Sequence, residues 1–127
     1  MNKVFGLVGG QHALFIPVEG CIFVVEEYIF DDSFDENSHD YQAMQSVIAD
    51  KLSEMRFTQD GGFNKVTVHV TVGLTPAVVE LIKYCLANFI VLDFLNFDRK
   101  SGQYIQQSVL RESQFSPLAF DYGMDGL

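Results

Sequence analysis

The sequence predicts an α/β fold: a sandwich on a mostly parallel central sheet of about five or six strands, with two long helices and a C-terminal hairpin. Three observations carry that expectation. Residues 66–72 alternate without a fault, Val66, Val68, Val70 and Val72 on one side, Thr67, His69 and Thr71 on the other, which is the period of a strand. Residues 66–97 read strand, glycine turn, helix, strand, and so long a connection makes the strands parallel and the crossover right-handed. Residues 90–97 are apolar except for Asp93 and Asn96, as in an interior strand covered on both faces.

The remaining elements follow in order. Residues 4–8 are a short apolar strand that breaks at Gly9-Gly10-Gln11-His12. Residues 13–16 are apolar and stop at Pro17, and Gly20 marks a turn. Residues 21–25 are β-branched and aromatic and continue through Tyr28-Ile29-Phe30, which predicts one strand. Residues 31–40 are an acidic loop. Over 41–57 the apolar residues Tyr41, Met44, Val47, Ile48, Leu52 and Met55 fall on one helical face, with Asp40 as N-cap. Gln59-Asp60-Gly61-Gly62 ends that helix as a turn. Thr75 suits the N-cap of the second helix and Pro76 its first position, where the missing N–H costs nothing. That helix runs to about Asn88. Val78, Ile82, Cys85, Leu86 and Phe89 form its apolar face, widened by Val79 and Leu81. Glu80, Lys83, Tyr84 and Asn88 leave a narrow polar stripe. So broad an apolar face predicts a homodimer, with Val79 and Leu81 as interface candidates. After the strand to Phe97, Asp98-Arg99-Lys100-Ser101-Gly102 is a hairpin loop with Gly102 in the left-handed position, and 104–110 returns as an edge strand. Residues 1–111 form a single α/β domain. Residues 112–127 are an irregular tail, lacking Val, Ile and Thr and interrupted by Pro117, Gly123 and Gly126, read as a docking segment.

Charge narrows the partners. The 127 residues carry a net charge of −9, and seven acids crowd residues 26–40 with no base among them. Duplex nucleic acid needs several Lys or Arg contacts, so a general DNA- or RNA-binding role is unfavourable. A small anionic ligand on a local basic spot remains compatible. No apolar run is long enough for a membrane span, and the N-terminus lacks a secretory layout, so the expectation is a soluble cytoplasmic protein. Cys21 and Cys85 read as two buried free thiols, with a disulfide between them left open. No Cys and His spacing fits zinc, and the acidic loop lacks the glycine and terminal Glu of a calcium loop, so no metal and no cofactor is assigned.

Three features offer chemistry. The turn Gly73-Leu74-Thr75, between a strand and a helix, presents free backbone N–H groups at the helix's positive end, a ready phosphate site. It lacks the Gly-Lys-Ser/Thr ending of a Walker loop. Gly9-Gly10-Gln11-His12 also follows a strand. If that strand is parallel to 66–72, both turns open on the edge where α/β proteins bind ligands. Arg99 and Lys100 offer positive charge at a strand end. Each feature also has a structural reading: a strand-to-helix turn, a glycine turn with a solvated His, and a solvated hairpin tip. His69 reads as a packed or half-exposed histidine, and His39 as solvated.

The stretch Thr71-Val72-Gly73-Leu74-Thr75-Pro76-Ala77-Val78-Val79-Glu80 resembles the ligand-loop motif of CRISPR-associated Rossmann-fold (CARF) domains, in which a strand ends in Gly-x-Thr/Ser-Pro and enters a helix of small and valine residues. The hairpin after Phe97-Asp98 looks like small stand-alone members of that class. The resemblance covers roughly residues 66–110. It implies a Rossmann-like fold and a homodimer that binds a cyclic oligoadenylate across its two-fold axis in antiviral defence. It further implies Gly73 and Thr75 as ligand contacts and, where the ligand is cleaved, a metal-independent phosphodiesterase of the ring-nuclease type. In the family the motif usually follows the first strand; here it lies in the second half. A reading from another class is a non-enzymatic regulatory protein that binds a basic partner surface through residues 26–40 and the tail.

Overall fold

The computed structural model describes residues 2–9, 14–35, 37–55, 62–70 and 74–115. In chain order they form β1 (Asn2–Val8), β2 (Leu14–Val18), β3 (Cys21–Val25), β4 (Glu27–Phe30), α1 (Tyr41–Leu52), β5 (Lys65–Val70), α2 (Pro76–Ala87), β6 (Val91–Asp98) and β7 (Gln103–Leu110). Five strands make one sheet in the order β4-β1-β5-β6-β7, and β2 and β3 make a separate two-stranded sheet. The fold is therefore α/β with a mostly parallel sheet: β4, β1, β5 and β6 are parallel neighbours and β7 returns antiparallel. The direction of the first strand, open in the sequence, is settled by its parallel register with β5, Phe5 opposite Val68.

Alternation sorts the strand residues into two cores. Phe5, Leu7, Val66, Val68, Val70, Leu92 and Phe94 cluster with the buried residues of both helices. Val4 and Leu95 turn the other way and pack with Ile16, Val18 and Val25 of the β2–β3 hairpin. In α1, Met44, Ile48 and Leu52 recur every fourth residue and are buried. Asp40 caps the helix as expected, its carboxylate accepting from the Ala43 N–H at 3.1 Å. The regular helix ends at Leu52 and tightens into a 3-10 turn at Ser53–Met55, earlier than the periodicity to residue 57 suggests. Tyr41, expected on the buried face, is 45 % exposed, and its hydroxyl meets His39 Nδ1 at 2.8 Å.

Several expectations are corrected. Residues 21–30 are two strands in two sheets. The chain leaves the hairpin after Val25, passes Glu26 and joins the main sheet at Glu27, opposite Phe5. Pro17 does not end β2 but lies inside it, opposite Ile22. Val18 and Cys21 flank a two-residue turn and so form a hydrogen-bonded pair. The next pair, Pro17 with Ile22, is a non-hydrogen-bonded one, and the proline nitrogen points away from β3. The turn itself has Glu19 at φ 47° and Gly20 at φ 83°, the geometry of a type I′ turn. Gly102 is left-handed as expected, at φ 68°.

The polar stripe read on α2 is also wrong in part. Glu80 and Tyr84 are buried. Glu80 faces α1, where Gln45 Nε2 donates to its backbone oxygen at 2.9 Å and to its carboxylate at 3.3 Å, and Lys83 Nζ pairs with that carboxylate at 3.1 Å. Those contacts offset the desolvation of the charge. Leu81 is fully buried and so is no interface residue, whereas Val79 and Leu86 are exposed. Of the two thiols only Cys85 is buried; Cys21, on β3, is exposed, and both are free. Burial pushes the Cys85 thiol up to about 12. The start of the supposed tail is structural. Glu112–Gln114 form a 3-10 turn, and Phe115 enters the helix-side core with its ring centroid 5.6 Å from that of Phe63 and 5.7 Å from that of Phe89. Residues 116–127 lie outside the described residues.

Candidate functional site at the carboxyl edge of the sheet

Four parallel strands end on one edge, at Phe30, Val8, Val70 and Asp98. β1 and β5 are neighbours, yet their continuations part. From β1 the chain goes to the β2–β3 hairpin, which packs with Val4 and Leu95. From β5 it goes to α2, which packs with Phe5 and Val68 on the opposite face. Adjacent strands whose loops diverge to opposite faces leave a crevice between their carboxyl ends, where ligands of open α/β sheets bind.

Of the two glycine turns of the sequence, the described ends flank that crevice: Gly9 after β1, and Leu74 and Thr75 before α2. Gly10, Gln11, His12 and Gly73 fall outside the described residues. Gly9 lies at the end of β1, its N–H donating to Phe30 O at 3.3 Å. A Cβ built on Gly9 would stand 1.7 Å from the Tyr28 ring, and one on Gly6 would stand 2.3 Å from it. The ring of Tyr28 thus lies flush against β1, and only glycine admits it at both positions. Tyr28 is a wall of this region that the sequence reading missed. The available signal was Gly6, a lone glycine inside an apolar strand.

On the β5 side, Leu74 is 79 % exposed and Thr75 is the N-cap of α2 in extended conformation, with Pro76 following at the first helical position. The side chain does not cap as expected. Thr75 Oγ1 makes no hydrogen bond to an N–H of the first turn, and among the described residues this buried oxygen has no partner. No acid occupies the first turn of α2, so its positive end is not neutralised locally.

Charge polarises the edge. Beyond β4, an open cleft of about 590 Å³ is lined by Gly9, Glu26, Glu27, Asp31 and Asp32, with Lys51 the one cation among its lining residues. Beyond β6, Arg99 and Lys100 are exposed, and among the described residues neither forms an ion pair. Asp98 shapes their turn: Ser101 Oγ donates to it at 2.9 Å and the Lys100 N–H at 3.2 Å. The bond from Ser101, then the one from the Lys100 backbone, holds the Asp98 carboxyl below the usual carboxylate range. An anion is therefore favoured on the β5–β6 side of the crevice and disfavoured toward β4.

His69 lies on the hairpin-facing side of β5, buried, its ring centroid 5.6 Å from that of Tyr104. Burial pushes its pKa down, which keeps the imidazole neutral. It is a packed histidine, one residue short of the strand's end. Among the described residues no group of three or more His, Cys, Asp or Glu is placed to hold a metal ion, and no helix is long and apolar enough to cross a membrane. No family model, curated protein or solved structure matches the chain.

Proposed function

We propose that this chain binds a phosphate-containing nucleotide of the cyclic oligoadenylate type, as a CARF-like, Rossmann-like protein of the cytoplasm acting in antiviral defence. The observation that supports the reading is the divergence of the β1 and β5 continuations at the carboxyl edge, with Gly9 at the end of β1 and Thr75 at the start of α2. A phosphate would take the N–H groups at the start of α2 and the unpartnered Thr75 hydroxyl. Arg99 and Lys100 would supply the countercharge.

Cleavage, where it occurs, is a ring-nuclease reaction without a metal. A ribose 2′-hydroxyl attacks its own 3′-phosphorus in line, the bond to the next nucleotide's 5′-oxygen breaks, and that oxygen leaves with the proton. Holding the sugar and phosphate in line supplies most of what such a step requires.

The test is a thermal shift followed by calorimetry with cyclic tetra- and hexa-adenylate, the matching linear oligonucleotides and inorganic phosphate. At a hundredfold excess over the dissociation constant, binding stabilises the fold by about 2.7 kcal/mol. Stabilisation by a cyclic adenylate, lost in the Arg99→Ala/Lys100→Ala variant, supports the reading. No shift with any of them overturns it.

The acidic cleft at the β4 end supports a second reading, a regulatory protein that takes a basic partner surface. Glu26, Glu27, Asp31 and Asp32 converge there from the end of the hairpin and both ends of β4. Binding of an Arg- and Lys-rich peptide that is lost when these four acids become amides would favour it.

A further inference from the structure

The two edges of the main sheet are built differently. β4 is four residues long, starts at Glu27 within 3.9 Å of Lys3 Nζ and runs into Asp31 and Asp32. Short, charged edges of this kind resist pairing with another strand. β7 is eight residues long and reads Gln-Tyr-Ile-Gln-Gln-Ser-Val-Leu, with no charge and no proline. Its register with β6 is unbroken from Asp93 opposite Ser108 to Asp98 opposite Gln103, so no bulge turns that stretch away. Among the described residues no strand pairs with its outer edge. An open groove of about 950 Å³ lies beside it, between the β6–β7 hairpin (Asp93, Asp98 and residues 101–106) and the β2–β3 hairpin at Pro17 to Gly20.

We propose that this edge is an interface: β7 pairs antiparallel with β7 of a second copy about a two-fold axis, joining two five-stranded sheets into one of ten. Three observations select a second copy as the occupant. First, antiparallel pairing of a strand with itself closes under a two-fold axis, so the same patch serves both partners. Second, β7 itself is uncharged, and of the acids that line the groove together with Glu19, Asp93 is paired with Lys65 at 2.9 Å and Asp98 is held by Ser101 and the Lys100 N–H. The acids at the ends of β4 belong to the far edge of the sheet, four strand spacings from β7, about 19 Å. Across a joined sheet the two β4 strands stand nine spacings apart, roughly 43 Å, several times the screening length of about 8 Å at physiological salt. Third, the chain's own C-terminal residues compete poorly: 116–127 contain no Val, Ile or Thr and carry Pro117, Gly123 and Gly126. Antiparallel pairing sets the carboxyl edges of the two sheets at opposite ends, so each copy keeps its own crevice, unlike the site across the two-fold axis that the CARF resemblance implies.

Sedimentation equilibrium of the full chain from one to a few hundred micromolar tests this, together with amide hydrogen exchange at the two ends of that range. Ile105→Lys/Gln107→Lys places two charges on one face near the middle of β7, where each meets its copies across the axis. Val79→Glu, on the exposed side of α2, is the control. The expected result is a dimer for the parent and for Val79→Glu, and at least tenfold weaker self-association for the lysine variant with an unchanged circular dichroism spectrum. The β7 amides that face away from β6 should gain protection only as concentration rises. A parent that stays monomeric throughout overturns the proposal, as does a dimer that Val79→Glu breaks. Protection of those amides at every concentration also overturns it, because the edge is then covered within one chain. The exchange measurement uses the parent alone, so a misfolded lysine variant leaves the test intact.

Discussion

Thr75→Val separates a hydroxyl kept for the fold from one kept for a ligand. The Thr75 oxygen is buried without a partner among the described residues, and its helix starts without a side-chain cap. An unpaired buried polar group costs about 1–3 kcal/mol, and replacing it with an apolar group of similar shape recovers part of that. The backbone, at φ −121° and ψ 166°, suits a β-branched residue. The usual penalty for removing an N-cap does not apply, because no capping bond is lost. We therefore expect the free protein to gain about 1 kcal/mol, which for a chain of this size raises Tm by roughly 3–6 °C. The ligand should respond with the opposite sign. A hydrogen bond to a charged phosphate is worth about 1.5–3 kcal/mol, so affinity for a cyclic adenylate should fall about 10- to 100-fold. Differential scanning calorimetry of the free protein and titration calorimetry with the ligand read both signs. A fall in the free protein's Tm refutes the reasoning, because it shows the hydroxyl holding the helix start.

Other expectations follow from the packing. Gly6→Ala should cost about 1–3 kcal/mol through the Tyr28 ring, and Tyr28→Ala should remove most of that cost in a double-mutant cycle; additive effects in denaturant melts would contradict the close approach. Phe115→Ala should cost about 3 kcal/mol or more, and truncation after Leu110, which removes Phe115, should lower Tm sharply. His69 has a folded pKa below its unfolded value of about 6.5, so the unfolded chain takes up its proton first. Stability should fall as pH drops below about 6.5 and level off beneath the folded pKa, and His69→Gln should flatten that part of the profile in denaturant titrations. In native buffer a thiol reagent should modify Cys21 and spare Cys85, with the second thiol appearing only on denaturation.

The parallel core was legible because its signals are local and redundant. The valines of β5 and the near-continuous apolar run of β6 each identify a strand, and Pro76 fixes the start of α2 by backbone geometry alone. What escaped was set by tertiary pairing. Nothing local in residues 21–30 says that the chain changes sheets at Glu26, because both halves are equally strand-prone. Pro17 reads as a stop until hairpin register places its nitrogen on an outer edge. The burial of Glu80 and Tyr84 depends on α1 lying across α2, which no periodicity within α2 contains. For the site, the sequence marked two glycine turns, but that the strands leading into them, β1 and β5, end on one edge required the direction of β1. The part played by Tyr28 was concealed, since an aromatic ring and the glycines it covers are far apart in sequence.

The most direct test of the central claim is a titration of ¹⁵N-labelled protein with cyclic tetra- or hexa-adenylate, following backbone amide shifts. The account expects saturable changes concentrated at Gly9, Leu74, Thr75, Arg99 and Lys100, with Asp31 and Asp32 little affected. Changes centred instead on the acidic cleft at the end of β4 or along the groove beside β7, or no saturable change at millimolar ligand, would contradict a nucleotide site between β1 and β5.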